Sequence, residues 1–278
     1  MRLWAFAMVI ELLLQCAAKP EALREIPFQY RDGLIWVKVE LVGNRPPLNF
    51  LLDSGASVSA IDLQTAQADG LHLGDRQAVE GVNGYSCGYR VTDLQGTLGG
   101  NVLPKSVLAI DLGAVSESCH HHIDGILGLD FFRGRTVRID FNASKICLLK
   151  NCDGNVANYE VLPIKTCNGA LCVPIRIAGN PTQWMRLDTG CDSAVEWVVS
   201  GKERRQMSRA LIGLTSASVD YINTSVQLGS HSFDDIRAGI HRKQIFPGED
   251  GLLGNGLLSK FCLTVDERNR RVIFDKAR

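Results

Sequence analysis

An internal repeat limits the fold of this 278-residue chain more than any other feature of its sequence. Two strand-type runs, residues 50–52 and 185–187, lead directly into an Asp-Ser-Gly or an Asp-Thr-Gly triplet. The segments before and after these triplets also match between the two halves, in the same order. The matching pairs are 26–41 with 162–177, 53–55 with 188–190, and 124–128 with 250–254. Because such self-similarity indicates repeated structural units, we interpret the chain as a tandem duplication.

Most of the chain has the two-residue periodicity of β-strands. Residues 35–41 and 172–177 alternate between apolar and other side chains, and turn residues interrupt the chain at short intervals. This pattern predicts an all-β protein whose hairpins close into two barrel-like lobes. The predicted lobes are residues 24–150 and 159–278, joined by a polar linker at residues 151–158. Short helices are predicted at residues 62–68, 130–133, 194–206 and 256–261.

Asp53 and Asp188, the acidic residues of the two triplets, are the main candidates for chemistry. A carboxylate at the end of a buried strand is costly unless it is paired or hydrogen-bonded. Two carboxylates that face each other closely cannot both ionise, so one becomes an acid and the other a base. A single triplet of this kind is typical of an ordinary turn that closes a strand. The repeated surroundings favour the chemical interpretation.

The triplets and their surroundings resemble one known family. In each half, two hydrophobic residues precede Asp, Ser or Thr, and Gly, and Ala or Cys follows. An apolar pair and Gly come about 60 to 70 residues later. This pattern resembles the retropepsin-like aspartic proteases. Each half is similar to one retroviral-type protease subunit, and the pair is similar to the two-lobed pepsin-like arrangement. The resemblance implies two acid-protease β-barrel lobes related by a pseudo-two-fold axis. We expect the closest relatives among the bacterial members.

The resemblance also implies roles for the triplet residues. Asp53 and Asp188 would be the catalytic pair. The hydroxyls of Ser54 and Thr189 would bond to the backbone of the opposite lobe and fix the two loops. The glycines that follow, Gly55 and Gly190, lack a Cβ and would let the carboxylates approach closely.

A hairpin flap that closes over the substrate lies between the motif blocks in this family. In the first half, residues 79–89 are rich in glycine and predict a mobile hairpin. Its candidate substrate-binding residues are Gly81, Gly84 and Tyr85. An ordinary surface hairpin is the alternative interpretation. The counterpart in the second half would be residues 213–221, which contain less glycine.

These observations predict an aspartic endopeptidase that hydrolyses peptides without a cofactor or a metal. Water would be activated between one carboxylate from each lobe. The alternative is a non-catalytic peptide-binding or assembly module that retains the fold, since a fold does not determine a function. Because one chain supplies both triplets, we expect a monomer that is an internal pseudo-dimer.

Residues 1–18 are interpreted as an export signal, which predicts a periplasmic or secreted protein. Arg2 precedes an apolar run that is too short to span a membrane, and small residues follow it. Membrane attachment is expected only if Cys16 is lipidated. The chain has 30 basic and 30 acidic residues, so no net charge would attract nucleic acid or an anionic membrane. The expected partner is a peptide or protein substrate.

The chain has nine cysteines, and an exported protein with many cysteines invites disulfides. Local pairs are the first expectation, Cys167 with Cys172 and Cys147 with Cys152, and small buried thiols are the alternative. Cys191 follows the second triplet and is expected to be free, although a bond to Cys262 is an open alternative. Residues 119–122 read Cys-His-His-His. Because adjacent side chains point in different directions, a solvated loop is predicted there and not a metal site.

The residues after the triplets bear on pH dependence. Pepsin-like enzymes carry a hydroxyl residue there, which donates to the carboxylate and lowers its pKa, whereas this chain has Ala56 and Cys191. Asp192 adds a nearby negative charge. We therefore expect activity to peak at mildly acidic and not at strongly acidic pH.

Overall fold

The structure is a computed structural model that describes residues 22–43, 46–81, 84–92, 94–150, 159–199, 206–212 and 215–276. The predicted export signal and the linker at residues 151–158 lie outside the described residues, so the lobe boundaries remain predictions. Strands account for most of the described chain. Among the described residues, no helix is long and apolar enough to cross a membrane.

The first half contains 13 strands and three short helices. The strands are β1 (Ala22–Pro27), β2 (Gln29–Arg31), β3 (Leu34–Leu41), β4 (Leu48–Leu52), β5 (Ala60–Asp62), β6 (Arg76–Gly81), β7 (Gly84–Val91), β8 (Gly96–Leu98), β9 (Asn101–Val102), β10 (Val107–Ile110), β11 (Gly125–Leu127), β12 (Thr136–Asp140) and β13 (Lys145–Leu149). The helices are α1 (Leu63–Ala68), α2 (Gly113–Ser118) and α3 (Leu129–Phe132).

The second half contains 11 strands and one short helix. The strands are β14 (Glu160–Pro163), β15 (Lys165–Cys167), β16 (Ala170–Ile177), β17 (Gln183–Asp188), β18 (Val195–Val198), β19 (Gln206–Ile212), β20 (Thr215–Leu228), β21 (His231–His241), β22 (Gly251–Gly254), β23 (Phe261–Asp266) and β24 (Arg271–Lys276). The helix is α4 (Asn255–Leu258).

The two halves have the same strand topology. In the first, β4 pairs with β3 and with β11, and β5 pairs with β11 and with β10. In the second, β17 pairs with β16 and with β22, and β18 pairs with β22 and with β21. Parallel and antiparallel pairs occur in the same places, such as the parallel β4–β11 and β17–β22 pairs. The fold is therefore all-β with two similar lobes, which confirms the predicted fold class.

A third sheet joins the two halves. Its six strands run in the order β1-β13-β12-β23-β24-β14, so three come from each half. The halves meet where β12 pairs with β23 in antiparallel register, from Thr136 opposite Asp266 to Asp140 opposite Cys262. Separating the two halves would leave β12 and β23 each with an unpaired edge.

Alternation along β4 and β17 points the acidic residues away from the core. Leu52 and Leu187, the residues directly before the two aspartates, are fully buried in the main hydrophobic cluster. Because successive strand residues face opposite sides, Asp53 and Asp188 face the other side of their sheets. The sequence pattern thus places both carboxylates outside the lobe cores.

Three of the four predicted helices are present and one prediction was wrong. Helices α1, α3 and α4 lie in or beside the predicted ranges, and the Asp62 side chain caps α1 by accepting the N–H groups of Gln64 and Thr65. The predicted helix at residues 194–206 is instead strand β18, and β19 begins at its last residue. Strand β18 lies between β22 and β21, so pairing on both sides overrides any local helical preference.

Candidate active site

The two acidic triplets face each other where the halves meet. Asp53 follows β4, and Asp188 is the last residue of β17. The Asp53 N–H donates to the Leu127 carbonyl on the neighbouring β11 at 2.8 Å. The repeated apolar pair and Gly of β11 and β22 therefore lie beside the two turns, as the motif spacing predicted.

Reciprocal hydrogen bonds lock the two turns together. The Thr189 hydroxyl accepts the Ser54 N–H at 2.9 Å and donates to the Leu52 carbonyl at 2.8 Å. The Ser54 hydroxyl accepts the Thr189 N–H at 3.1 Å and donates to the Leu187 carbonyl at 2.7 Å. Both hydroxyl residues are buried. The structure thus places these two hydroxyls as the resemblance implied, and each turn depends on the other half.

The glycine of each triplet contacts the carboxylate of the other. A Cβ atom on Gly55 would collide with the Asp188 carboxylate, and one on Gly190 would collide with that of Asp53. Only glycine leaves room for the two carboxylates at this position. Each carboxylate therefore lies against the triplet glycine of the opposite half, which brings the two acidic side chains together.

The two carboxylates are not equivalent. Burial raises the pKa of Asp53, but hydrogen bonds from Asp188 and from the N–H groups of Ala56 and Gly55 oppose that rise. Those N–H groups donate to Asp53 Oδ1 at 3.0 and 2.8 Å. Burial raises the pKa of Asp188 well above its ordinary value, and the charge of Asp53 raises it further. Among the described residues, its backbone donor is Gly190 at 2.9 Å. The geometry therefore favours a protonated Asp188 beside an ionised Asp53.

Comparison with known proteins agrees with this geometry. Residues 37–131 match the family model described as aspartyl protease. The first lobe is therefore similar to the aspartyl protease family over this range. The aspartic proteinase from Irpex lacteus has a similar structure, with a TM-score of 0.56 and 14% sequence identity over 91% of this chain and 97% of that one. The whole chain thus has the aspartic protease fold. A search of curated proteins found no match. That the chain is of the bacterial type remains a prediction.

Hairpins occupy equivalent edges of both lobes of this aspartic protease fold. In the first, β6 and β7 pair so that Gly81 lies opposite Gly84 and Glu80 opposite Tyr85. Residues 82–83 and the Tyr85 side chain lie outside the described part. In the second, β19 and β20 form a seven-pair ladder. The predicted range 213–221 contains residues 213–214, which are not described, and the first part of β20. The described strands therefore place a hairpin in both predicted flap regions.

Cys191 is a half-buried neutral thiol beside the carboxylates. Its Sγ lies 3.1 Å from the Ser193 Oγ. Burial raises its pKa well above the ordinary value, and the nearby Asp188 charge adds to the effect. Among the described residues Cys191 and Cys262 are both free, so the alternative bond between them is absent.

The expected disulfide between Cys167 and Cys172 is also absent. In the β15–β16 hairpin, Cys167 lies opposite Ala170 while Cys172 lies opposite Lys165, so the two thiols are diagonal neighbours and not a direct pair. The turn residues predicted the hairpin but not its register. The other expected pair includes Cys152, which lies outside the described residues, and Cys147 is a free thiol.

The histidines after Cys119 form separate contacts. His121 lies 3.4 Å from Asp32, and His122 lies 3.1 Å from Asp124. Across the described ranges, no group of three or more potential ligands is placed to hold a metal ion.

Sequence analysis missed a buried ion pair next to the site. Arg186, two residues before Asp188, is 3% exposed and forms two hydrogen bonds to Glu249, which is 2% exposed. The sequence signal for this pair was the charged residue Arg186 within an otherwise apolar run. Its partner lies 63 residues further along the chain, so the pairing depends on the fold.

Proposed function

We propose that the protein is a single-chain aspartic endopeptidase in which Asp53 and Asp188 together activate a water molecule. One observation carries this proposal: each carboxylate lies against the glycine of the opposite triplet, inside the reciprocal Ser54–Thr189 network. A turn that only closed a strand would need neither that network nor a glycine opposite each carboxylate.

The unequal carboxylates assign the proton transfers. Ionised Asp53 takes a proton from the water as the water oxygen attacks the scissile carbonyl carbon. Protonated Asp188 donates its proton to the carbonyl oxygen, which gives a neutral tetrahedral diol. The diol collapses when Asp53 gives its proton to the leaving nitrogen, the C–N bond breaks, and ionised Asp188 takes a proton from one diol hydroxyl, which restores both carboxyl groups to their starting states. No covalent intermediate, cofactor or metal takes part in this scheme.

The substrate is proposed to be an extended peptide that lies between the two hairpins. Main-chain hydrogen bonds to a strand edge would hold it, as in other cases of strand addition. Since one chain supplies both carboxylates, the active form is proposed to be the monomer. Location outside the cytoplasm is a separate proposal, which rests on residues 1–18 of the sequence.

The first test is a cleavage assay on a mixed peptide library. The protein and its Asp53→Asn variant are incubated with the library at several acidic pH values, and products are identified by mass spectrometry. We expect internal peptide bonds to be cut by the wild type only. Peptide binding without cleavage by either protein would refute the proposal and indicate a non-catalytic binding module. Equal cleavage by both would show a contaminating or different activity.

A further inference from the structure

Strand register shows which residues of the two lobes are equivalent. In the first lobe, Leu51 pairs with Trp36 on one side and with Ile126 on the other. In the second, Arg186 pairs with Cys172 and with Leu252 in the same manner. Leu51 and Arg186 both stand two residues before a catalytic candidate, so each shares the sheet face of its carboxylate.

This face is apolar in the first lobe and charged in the second. In the first lobe it forms a buried cluster that consists of Leu34, Trp36, Leu51, Ala60, Ile110, Leu112 and Ile123. In the second lobe, Arg186 takes the place of Leu51 and Glu249 that of Ile123. Glu196 and His241 form another buried pair there, 2.6 Å apart. The second lobe therefore has a buried ion pair and a buried Glu–His contact where the first lobe is apolar.

Each of the three nitrogens of the Arg186 guanidinium donates a hydrogen bond. Its Nε and Nη2 donate to the two Glu249 oxygens at 2.7 and 2.6 Å. The Phe246 ring covers it, with its centre 3.5 Å from Cζ. The remaining nitrogen, Nη1, donates to the Gly55 carbonyl of the other lobe at 2.6 Å. Such a charge-assisted, bidentate arrangement fixes the side chain in one position.

The contact with Gly55 leads directly to Asp53. The Gly55 carbonyl and the Ala56 N–H belong to one peptide unit, and that N–H donates to Asp53 Oδ1 at 3.0 Å. A cation on the carbonyl orients this peptide and polarises it, which strengthens the bond that its N–H donates. Asp53 also receives the Gly55 N–H, whereas Asp188 accepts one backbone N–H, from Gly190, among the described contacts.

We propose that Arg186 is a positioning residue that makes Asp53 the ionised member of the pair. It acts by holding the Gly55–Ala56 peptide, and Glu249 keeps it in place. The other lobe has no equivalent, because Leu51 has no donor. This inference rests on the proposed function and deepens it, since it says which carboxylate is the base and why.

Other charged and titratable groups share this region. Glu249 opposes the positive charge of Arg186, and Cys172 faces both of them from β16. Burial raises the pKa of the Cys172 thiol well above its ordinary value, so the thiol is neutral. The Arg186 charge acts to lower the pKa of both Asp53 and Asp188. Removing it should therefore move the acidic limb of the activity profile to higher pH.

The decisive variant gives the second lobe the residues of the first. Arg186→Leu with Glu249→Ile removes both charges at once, and replacing a buried ion pair by apolar residues is often neutral for stability. The titration of the Asp53 carboxyl is followed by carbon-13 NMR, and kcat/KM is measured against pH. We expect the midpoint of the Asp53 titration to rise by about one pH unit in the double variant. We expect kcat/KM at the wild-type optimum to fall about tenfold.

Two further variants make the result specific. Arg176→Met removes an exposed arginine of the same sheet, and we expect it to leave the titration unchanged. Glu249→Gln retains the guanidinium and removes the opposing charge, so the midpoint of the Asp53 titration should fall to lower pH. If the double variant does not fold, this single variant still tests the inference. An unchanged or higher midpoint would contradict the role of Arg186.

The NMR readout separates this inference from the proposed function. An Asp53 titration that does not change in the folded double variant overturns the role of Arg186, whatever the activity. If the wild type cleaves no peptide but the titrations shift as expected, the proposed function fails and the electrostatic role of Arg186 stands.

Discussion

At the scale of single residues, the site depends on side chains that bond across the lobe interface. The Ser54 and Thr189 hydroxyls each accept one N–H and donate to one carbonyl of the opposite turn. They are satisfied only when both turns are in register. Stability and activity are therefore coupled through the same two residues.

Thr189→Val should destabilise the protein by about 2 to 4 kcal/mol, because it leaves a buried Ser54 N–H and a buried Leu52 carbonyl without a partner. Urea unfolding measures the loss. The matched control is Thr182→Val on the exposed loop before β17, which should change stability by less than about 0.5 kcal/mol. A similar small change for Thr189→Val would mean that the cross-lobe bonds contribute little.

The pH profile should be a bell centred at mildly acidic pH. Burial raises the pKa of Asp53 and, much more, that of Asp188 from the ordinary value of 3.8. Activity needs the first ionised and the second protonated, so both limbs should lie above that value. Measurement of kcat/KM against pH on one peptide tests this expectation, and a strongly acidic optimum would contradict it.

Ala56→Thr should move this profile to lower pH. A hydroxyl at position 56 can donate to Asp53, which favours the ionised form and lowers its pKa. In the wild type no such hydroxyl is present, and the sulfur of Cys191 at the equivalent place contacts Ser193. Comparison of the two profiles on one substrate measures the shift, and an upward shift would count against this description of the site.

At the scale of elements, the sheet that joins the halves is held by a buried acidic residue at the β23–β24 turn. Burial acts to raise the pKa of Asp266, but hydrogen bonds from Asn269 and Arg271 outweigh it and the pKa is lowered. Thr136 of β12 also donates to this carboxylate, at 3.3 Å. Asp266 thus connects the turn with the strand at which the lobes meet.

Asp266→Asn should cost about 1 to 3 kcal/mol at neutral pH, since charge-assisted bonds to a buried carboxylate are lost. Because the folded pKa is lowered, this stability is present above the unfolded value and disappears as pH falls through the folded one. The free energies of unfolding of wild type and variant, measured with urea, should therefore converge below pH 3.8. The control is Asp140→Asn on β12, whose carboxylate caps an exposed N–H of Ala143. A cost that stayed constant with pH would contradict the assignment.

The elements also show where sequence reasoning succeeds and where it ends. Period-two alternation predicted β3 and β16, and a short helix was predicted at residues 62–68, where α1 lies. The prediction of a helix at residues 194–206 was wrong because β18 forms a strand by pairing with β21 and β22, which are distant in sequence. The register of the β15–β16 hairpin, and with it the cysteine geometry, was likewise set by pairing that no local pattern specifies.

At the scale of the whole molecule, the duplication is the reason that the fold and the carboxylate pair could be predicted. Two copies of one motif imply two similar lobes, and the sheet of β12 and β23 joins them as a pair. What repetition could not predict is the difference between the copies. Arg186 and Glu249 have apolar equivalents in the first lobe, and their effect on Asp53 appears only when the lobes are assembled.

The central claim is that one chain carries one complete pair of catalytic carboxylates. Its most direct test is the turnover of a single peptide by Asp53→Asn, by Asp188→Asn, and by an equimolar mixture of the two variants. We predict that each variant loses at least about a hundredfold of the wild-type kcat/KM, and that the mixture regains nothing. Near wild-type turnover by either variant, or recovery of activity on mixing, would contradict a dyad within one chain.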